Sequence, residues 1–161
     1  MTEHDEQAER DERAAFIEAV GDALAAWNLS RATGRVYGFL LLRSEPATLD
    51  TIGAELSLSA GGVSTAAREL VSWGLARTIP QPGSRRLRVE AVGGFEQLLA
   101  ASHERTRAFI RTLRSGTALT GDVRASERLS AVTRLFESYV EAGDEMLRRH
   151  RGDDGDRTTQ G

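Results

Sequence analysis

The hydrophobic period of this chain changes at Gly74, and that change limits the fold more than any other feature. Before Gly74 apolar residues recur every three or four positions; after it they alternate with polar ones. Upstream, Asp50 caps a short helix over 51–56, and Ser57-Leu58 makes a tight turn. Ser59 caps a second helix over 60–73, with Gly74 where a helix C-terminus takes a left-handed residue. Downstream, 75–79 reads as a strand, Pro80-Gln81-Pro82-Gly83-Ser84 as a turn and 85–91 as a returning strand. Thr48-Leu49 adds a minimal strand ahead of the first helix. Two short helices across a tight turn, followed at once by a β-hairpin, make a helix-turn-helix with a wing.

The remaining segments read as helices around that unit. Residues 1–10 are acidic and polar and are expected to be disordered. Phe16, Val20, Leu24 and Trp27 recur at helical spacing, which predicts an N-terminal helix over 11–28, part of a dimerisation region. Ser30 caps a helix over 31–43, whose run Phe39-Leu40-Leu41-Leu42 is apolar on nearly every side and belongs in the core. Gly93-Gly94 breaks the hairpin, and 93–151 reads as a helical dimerisation region with helices over 95–114 and 126–149. In the second of these Leu129, Val132, Phe136, Tyr139, Gly143 and Met146 step alternately by three and four, a heptad seam on which Gly143 would let another helix approach closely. Residues 152–161, rich in Gly and Asp, are expected to be a disordered tail. The expected fold class is mainly α with a small β-hairpin: a winged helix-turn-helix lobe over 29–92 and a helical dimerisation stalk.

Charge is unevenly spread. The chain carries 21 basic against 24 acidic residues, a net −3, and every basic residue is arginine. Residues 29–92 hold eight arginines against five carboxylates, a net +3, which leaves −6 for the rest. A basic middle between acidic ends is the footprint of a core that reads nucleic acid. The helix over 60–73 supports this, because it divides into two faces. Val63, Ala67, Leu70 and Val71 form an inward stripe; Gly61, Ser64, Thr65, Arg68 and Ser72 lie outward. Short outward side chains let a helix enter a major groove closely, where Arg68 can meet guanine or phosphate. The N-terminus capped by Ser59 also offers N–H groups to a phosphate. At the hairpin, strand alternation sends Arg85 and Arg86 to opposite faces, one toward the minor groove or backbone and the other bracing the hairpin or touching phosphate. The candidate DNA-binding residues are therefore Ser59, Gly61, Ser64, Thr65, Arg68, Arg85 and Arg86.

Three stretches carry a family resemblance: G-R-x-Y-G-x-L-L-L in Gly34 to Leu42, LSAGGVSTAAREL over Leu58 to Leu70, and the W-G-L and G-x-R-R segments that follow. With them, about residues 14 to 115 resemble the MarR superfamily of winged helix-turn-helix regulators, and within it the GbsR-like branch. The first motif is the one most specific to that branch. The resemblance implies a homodimer whose DNA-binding lobes are held apart by terminal helices. It also implies repression or activation at palindromic operators, often tuned by a small ligand. Gly62 departs from the pattern, since relatives carry a larger or polar residue there, which speaks against direct base readout at that position.

The candidate dimerisation residues are Phe16, Val20 and Leu24 together with the seam Leu129, Val132, Phe136, Tyr139, Gly143 and Met146. A two-fold axis would set the two recognition helices about one DNA turn, ~34 Å, apart. Trp27 and Tyr37 are candidates for an effector pocket where stalk meets lobe. The expected partners are double-stranded DNA, a second copy of the chain and a small-molecule effector, with no membrane and no cofactor. His4, His103 and His150 lack neighbours at metal-ligand spacing. Glu141, Asp144 and Glu145 read as a solvated face. Ser59 and Ser64 lack a His or Lys partner for nucleophilic catalysis, and no G-x-G-x-x-G or P-loop occurs, so no catalytic residue is assigned. The absence of cysteine excludes disulfides. The N-terminus has no leader-like apolar stretch, and no run nears the roughly 18 apolar residues of a membrane span; the expected location is the cytoplasm. Two other readings stay open. One is a winged helix used for protein interaction, without an operator; the other is a small helical ligand-binding protein or enzyme.

Overall fold

The computed structural model describes residues 2–157. The elements run α1 (Glu3–Leu24), α2 (Arg31–Leu41), β1 (Ala47–Thr48), α3 (Leu49–Leu56), α4 (Ala60–Ser72), β2 (Ala76–Pro80), β3 (Leu87–Ala91), α5 (Glu96–Thr117) and α6 (Val123–Arg157). The fold is mainly helical with one small antiparallel sheet of order β1-β3-β2. It divides into two compact units, one ending at Phe95 and the other beginning at Glu96.

In the first unit α2 is the centre: Val36, Tyr37, Phe39 and Leu40 are all buried. Helix α1 crosses it nearly backbone to backbone. A β-carbon on Gly34 would stand 2.7 Å from the Gly21 Cα, and one on Gly38 would stand 3.2 Å from the Ile17 Cα. Beside this crossing Glu18 accepts hydrogen bonds from Arg31 and Arg35, and Asp22 accepts one from Arg31 at 2.9 Å. The close crossing corrects part of the dimer assignment. Leu24 is buried in this unit and Val20 packs over Gly38, so only Phe16 of the three α1 residues remains exposed. The glycines draw α2 in, and α2 consumes the apolar stripe of α1.

Both ends of the chain are more helical than composition suggests. Helix α1 starts at Glu3, so the segment expected to be disordered over 1–10 is helical from that residue; Met1 lies outside the described residues. Thr2 caps α1, its hydroxyl accepting from the Asp5 N–H at 3.4 Å while the Asp5 carboxylate accepts from the Thr2 N–H at 3.1 Å. Glu3, Asp5 and Glu6 occupy the first turn. Acid there is stabilised by the helix dipole, so the residues that read as disorder are a start signal. Helix α6 runs on through Arg157, past the expected end at 149, with Glu145 pairing to Arg148 and Arg149 on its final turns. The rest of the expected tail, 158–161, lies outside the described residues.

The helix-turn-helix forms as its caps dictate, with one shift. The cap of α3 is Thr48, which accepts from the Thr51 N–H at 3.2 Å; Asp50 sits inside the first turn instead. The reason is tertiary: β1 pairs Ala47 with Val89 and Thr48 with Arg88, and the helix starts directly after that pairing. Ser59 caps α4 as expected, accepting from the Gly62 N–H at 3.1 Å, and Gly74 takes φ 71° after its end. Two bonds fasten the motif to α2: the Thr33 hydroxyl donates to Glu69 at 2.6 Å, and Arg35 donates to the Leu56 carbonyl at 3.1 Å. The hairpin pairs Ala76 with Ala91 through Pro80 with Leu87, and Val89 of β3 and Leu75, just ahead of β2, are fully buried.

The second unit is an antiparallel pair of helices. From one end to the other Glu96 meets His150 at 3.0 Å, His103 meets Asp144 at 2.9 Å, and Phe109 meets Phe136 edge-on at 5.2 Å between centroids. Ile110, Val140 and Leu147 are buried between the helices. The heptad seam therefore splits. Leu129 packs near Gly116, Phe136 near Phe109, and Gly143 beneath the His103 ring, all within the chain. A β-carbon on Gly143 would collide with the His103 ring, so its close approach serves α5. Val132, Tyr139 and Met146, each seven residues from the next, are exposed. The two sets, each repeating every seven residues, form adjacent stripes on α6; α5 covers the first and reaches the second only where the His103 ring meets Tyr139 edge-on at 6.0 Å.

Asp144 is part of this packing rather than of a solvated face. Burial pushes its carboxyl pKa up, but hydrogen bonds from His103 and Arg107 outweigh that and hold it below the ordinary carboxylate range. A lowered folded pKa gives stability that is complete above the unfolded value of about 3.9 and is lost as pH falls through the folded value. In urea unfolding followed against pH, Asp144→Asn is therefore expected to shallow the acid limb of stability; an unchanged limb would contradict the assignment.

Candidate nucleic-acid interface

Helix α4 buries Val63, Ala66, Ala67 and Leu70 and turns a short-chained surface outward. Gly61 has open space where a β-carbon would be; Ser59, Thr65, Arg68 and Ser72 are exposed, and Ser64 is half-buried. The one carboxylate of α4, Glu69, is drawn inward by the Thr33 hydroxyl, so the outer face carries no negative charge. Arg68 lies along its own helix, its Nε donating to the Ser64 carbonyl at 3.4 Å, and makes no ion pair among the described residues. Gly62 has a local job. Its N–H serves the Ser59 cap, and a β-carbon there would press to 3.1 Å from the Ser59 hydroxyl.

Val71, expected to point inward, is 39% exposed. It looks into a cleft of about 370 Å³ between α4 and the sheet, with Leu49, Ala67, Leu87 and Val89 as its other apolar walls. The sheet stands off from the last turn of α4 and leaves the side chain uncovered. This apolar recess has no signature in the sequence, because Leu87 and Val71 each fit a buried pattern.

The hairpin arginines also differ from expectation. Strand β3 starts at Leu87, so Arg85 and Arg86 lie in the turn and strand alternation does not set their directions. Both are exposed. The Arg86 N–H donates to the Ser84 hydroxyl at 3.0 Å, and its guanidinium stands 3.8 Å from the Asp50 carboxylate. Arg85 has no hydrogen-bond or ionic partner among the described residues. The other arginines of 29–92 are engaged to differing degrees. Arg31 and Arg35 are tied to Glu18, Arg77 to Glu90, and Arg43 lies over the Phe39 ring at 5.3 Å. Arg88 is partly buried, with its Nε unpartnered. On α4 and the hairpin turn, the arginines without an ion pair are therefore Arg68 and Arg85, with Arg86 loosely held.

Trp27 and Tyr37 do come together, through Phe95: its ring lies 5.8 Å from Trp27 and 6.0 Å from Tyr37. Burial pushes the Tyr37 phenol up. Among the described residues no three His, Asp or Glu side chains are placed to hold a metal ion, and no helix is long and apolar enough to cross a membrane.

Two short helices across a tight turn, backed by a three-stranded sheet whose hairpin carries arginines at its turn, define a winged helix-turn-helix lobe. The solved structure of a transcriptional regulator shares this fold, with TM-score 0.57 and 26% identity over 88% of this chain and 99% of that one. HTH-type transcriptional regulator MmpR5 of Mycobacterium tuberculosis is 33% identical over 72 residues, which is 44% of each protein, so the match spans less than half the length of that relative. MarR is similar more loosely, with TM-score 0.39 and 15% identity over 99% of this chain and 100% of that one. No family model matches the chain.

Proposed function

We propose that this chain is a DNA-binding transcriptional regulator of the MarR type, of the GbsR-like branch that Gly34 to Leu42 resembles, and not an enzyme. One observation carries the proposal. The acid-free face of α4 presents Arg68, the neighbouring hairpin presents Arg85, and neither guanidinium is spent on a carboxylate. Arginine left exposed and unpaired in this way suits phosphate and guanine edges. On this reading α4 enters the major groove, with Gly61, Ser64 and Thr65 allowing close approach and the Ser59-capped N-terminus meeting phosphate. The hairpin reaches the flanking minor groove or backbone. That the 33% and 26% identical proteins are called transcriptional regulators supports it.

The regulator acts as a cytoplasmic homodimer on an inverted-repeat operator. Its copies meet through the exposed stripe of α6 that carries Val132, Leu135, Tyr139 and Met146. Tyr139→Asp, on a residue 56% exposed, is expected to turn dimer into monomer in sedimentation velocity; an intact dimer would remove this face from the account. A small-molecule effector acts through the Trp27–Phe95–Tyr37 cluster. The operator is tested by selecting bound duplexes from a random pool. Enrichment of inverted repeats with half-site centres roughly 10 base pairs apart, or a multiple of that, is expected. A pool that returns unenriched would overturn the proposal.

A further inference from the structure

The two hairpin arginines look equivalent in sequence but not in the structure. A recess of about 220 Å³ lies where the hairpin turn meets the start of α3, bounded by Thr48, Leu49, Asp50, Arg85, Arg86 and Leu87. Across it the Asp50 carboxylate faces Arg86 at 3.8 Å, while Arg85, one residue away, is free among the described residues. Asp50 is held there by local forces: it occupies the first turn of α3, where the helix dipole favours acid, directly behind the Thr48 cap.

We infer that Asp50 is an electrostatic brake on nucleic-acid binding, acting through Arg86, and that Arg85 is the hairpin arginine that engages DNA without competition. The inference rests on the DNA-binding reading above. Two effects of Asp50 could oppose each other. As a brace, it would position Arg86 and help binding; as a competitor, it would occupy a guanidinium that phosphate could use and would repel the phosphate itself. The exposure of the pair decides between them. With side chains 78% and 70% accessible, Asp50 and Arg86 form a contact too weak to fix a long side chain. At 3.8 Å, inside the screening length at physiological salt, the carboxylate nevertheless offsets the positive charge that Arg86 would offer a phosphate. Competition therefore outweighs bracing. A regulator built this way has its affinity set by an acid on α3, outside the recognition helix and the hairpin.

The test uses the full chain and a duplex enriched from the random pool, with affinity read by fluorescence anisotropy over a salt series. Asp50→Asn is expected to tighten binding about three-fold, the range over which exposed pairs act. It should also steepen the salt dependence by up to about one counterion, as Arg86 becomes free for a phosphate. In an Arg86→Ala background the same substitution is expected to lose most of that gain, and Arg85→Ala should weaken the wild-type protein more than Arg86→Ala does. Weaker or unchanged binding by Asp50→Asn, or an equal gain without Arg86, would overturn the brake while leaving the DNA-binding reading in place. A wild-type protein that retains no duplex at all would overturn both.

Discussion

Gly34→Leu is expected to unfold the first unit. Even the first atom of the new side chain has nowhere to go: a β-carbon at position 34 stands 2.7 Å from the Gly21 Cα and 3.1 Å from the carbonyls of Val20 and Gly21. These neighbours are backbone, so no rotamer change relieves the clash. Helix α1 must move away from α2, and the Arg31 and Arg35 bonds to Glu18 stretch with it. Overpacking of a core position costs about 1–3 kcal/mol and more where backbone must shift. For a domain of this size that is a large share of the total stability. Gly34→Ala should lose about 1–3 kcal/mol in urea unfolding for the same reason. Gly61→Ala supplies the contrast, since nothing lies within 4 Å of its would-be β-carbon. Alanine there is expected to be neutral or to stabilise by up to about 1 kcal/mol. Equal effects at the two positions would contradict the crossing.

The second large effect is on binding. Arg68→Ala combined with Arg85→Ala is expected to weaken affinity for an enriched duplex by about 1–3 kcal/mol per lost contact, a combined loss of ten-fold or far more. The folded state should hardly notice, because neither guanidinium has an ionic partner to lose. Arg77→Ala and Arg31→Ala are useful comparisons. Each removes the same formal charge, but from a guanidinium already tied to Glu90, or to Glu18 and Asp22. Their effect on affinity should be several-fold smaller. If all four substitutions weakened binding alike, the lobe would be acting through its bulk charge and not through a defined surface.

Much of this is legible in the sequence where the signal is local. Ser30, Ser59 and Gly74 mark helix boundaries through bonds made within a few residues, and the structure places caps and a left-handed turn at those positions. The buried stripe Val63, Ala67 and Leu70 follows from helical period alone. What escapes the sequence depends on partners distant along the chain. Thr48 and Asp50 are both good caps, and only the pairing of β1 with β3 selects Thr48. The seam of α6 has the right spacing for a partner helix, but spacing does not say whether that partner belongs to the same chain. His103 over Gly143 shows that for one half of the seam it does. The charge of 29–92 is the sharpest case. Its net +3 counts Arg31 and Arg35, which are neutralised by Glu18 and Asp22 from α1, outside the counted segment. The motif of Gly34 and Gly38 was visible as a pattern; its cause, a helix crossing against Gly21, required the fold.

On the proposed reading, an uncommitted arginine surface on α4 and the β2–β3 hairpin meets duplex phosphate. A salt titration of binding to an enriched duplex tests it most directly. A straight line of log affinity against log salt is expected, with a slope of several counterions that shrinks by about one for each phosphate-bound arginine removed. A flat line, or a slope that Arg68→Ala and Arg85→Ala leave untouched, would contradict it.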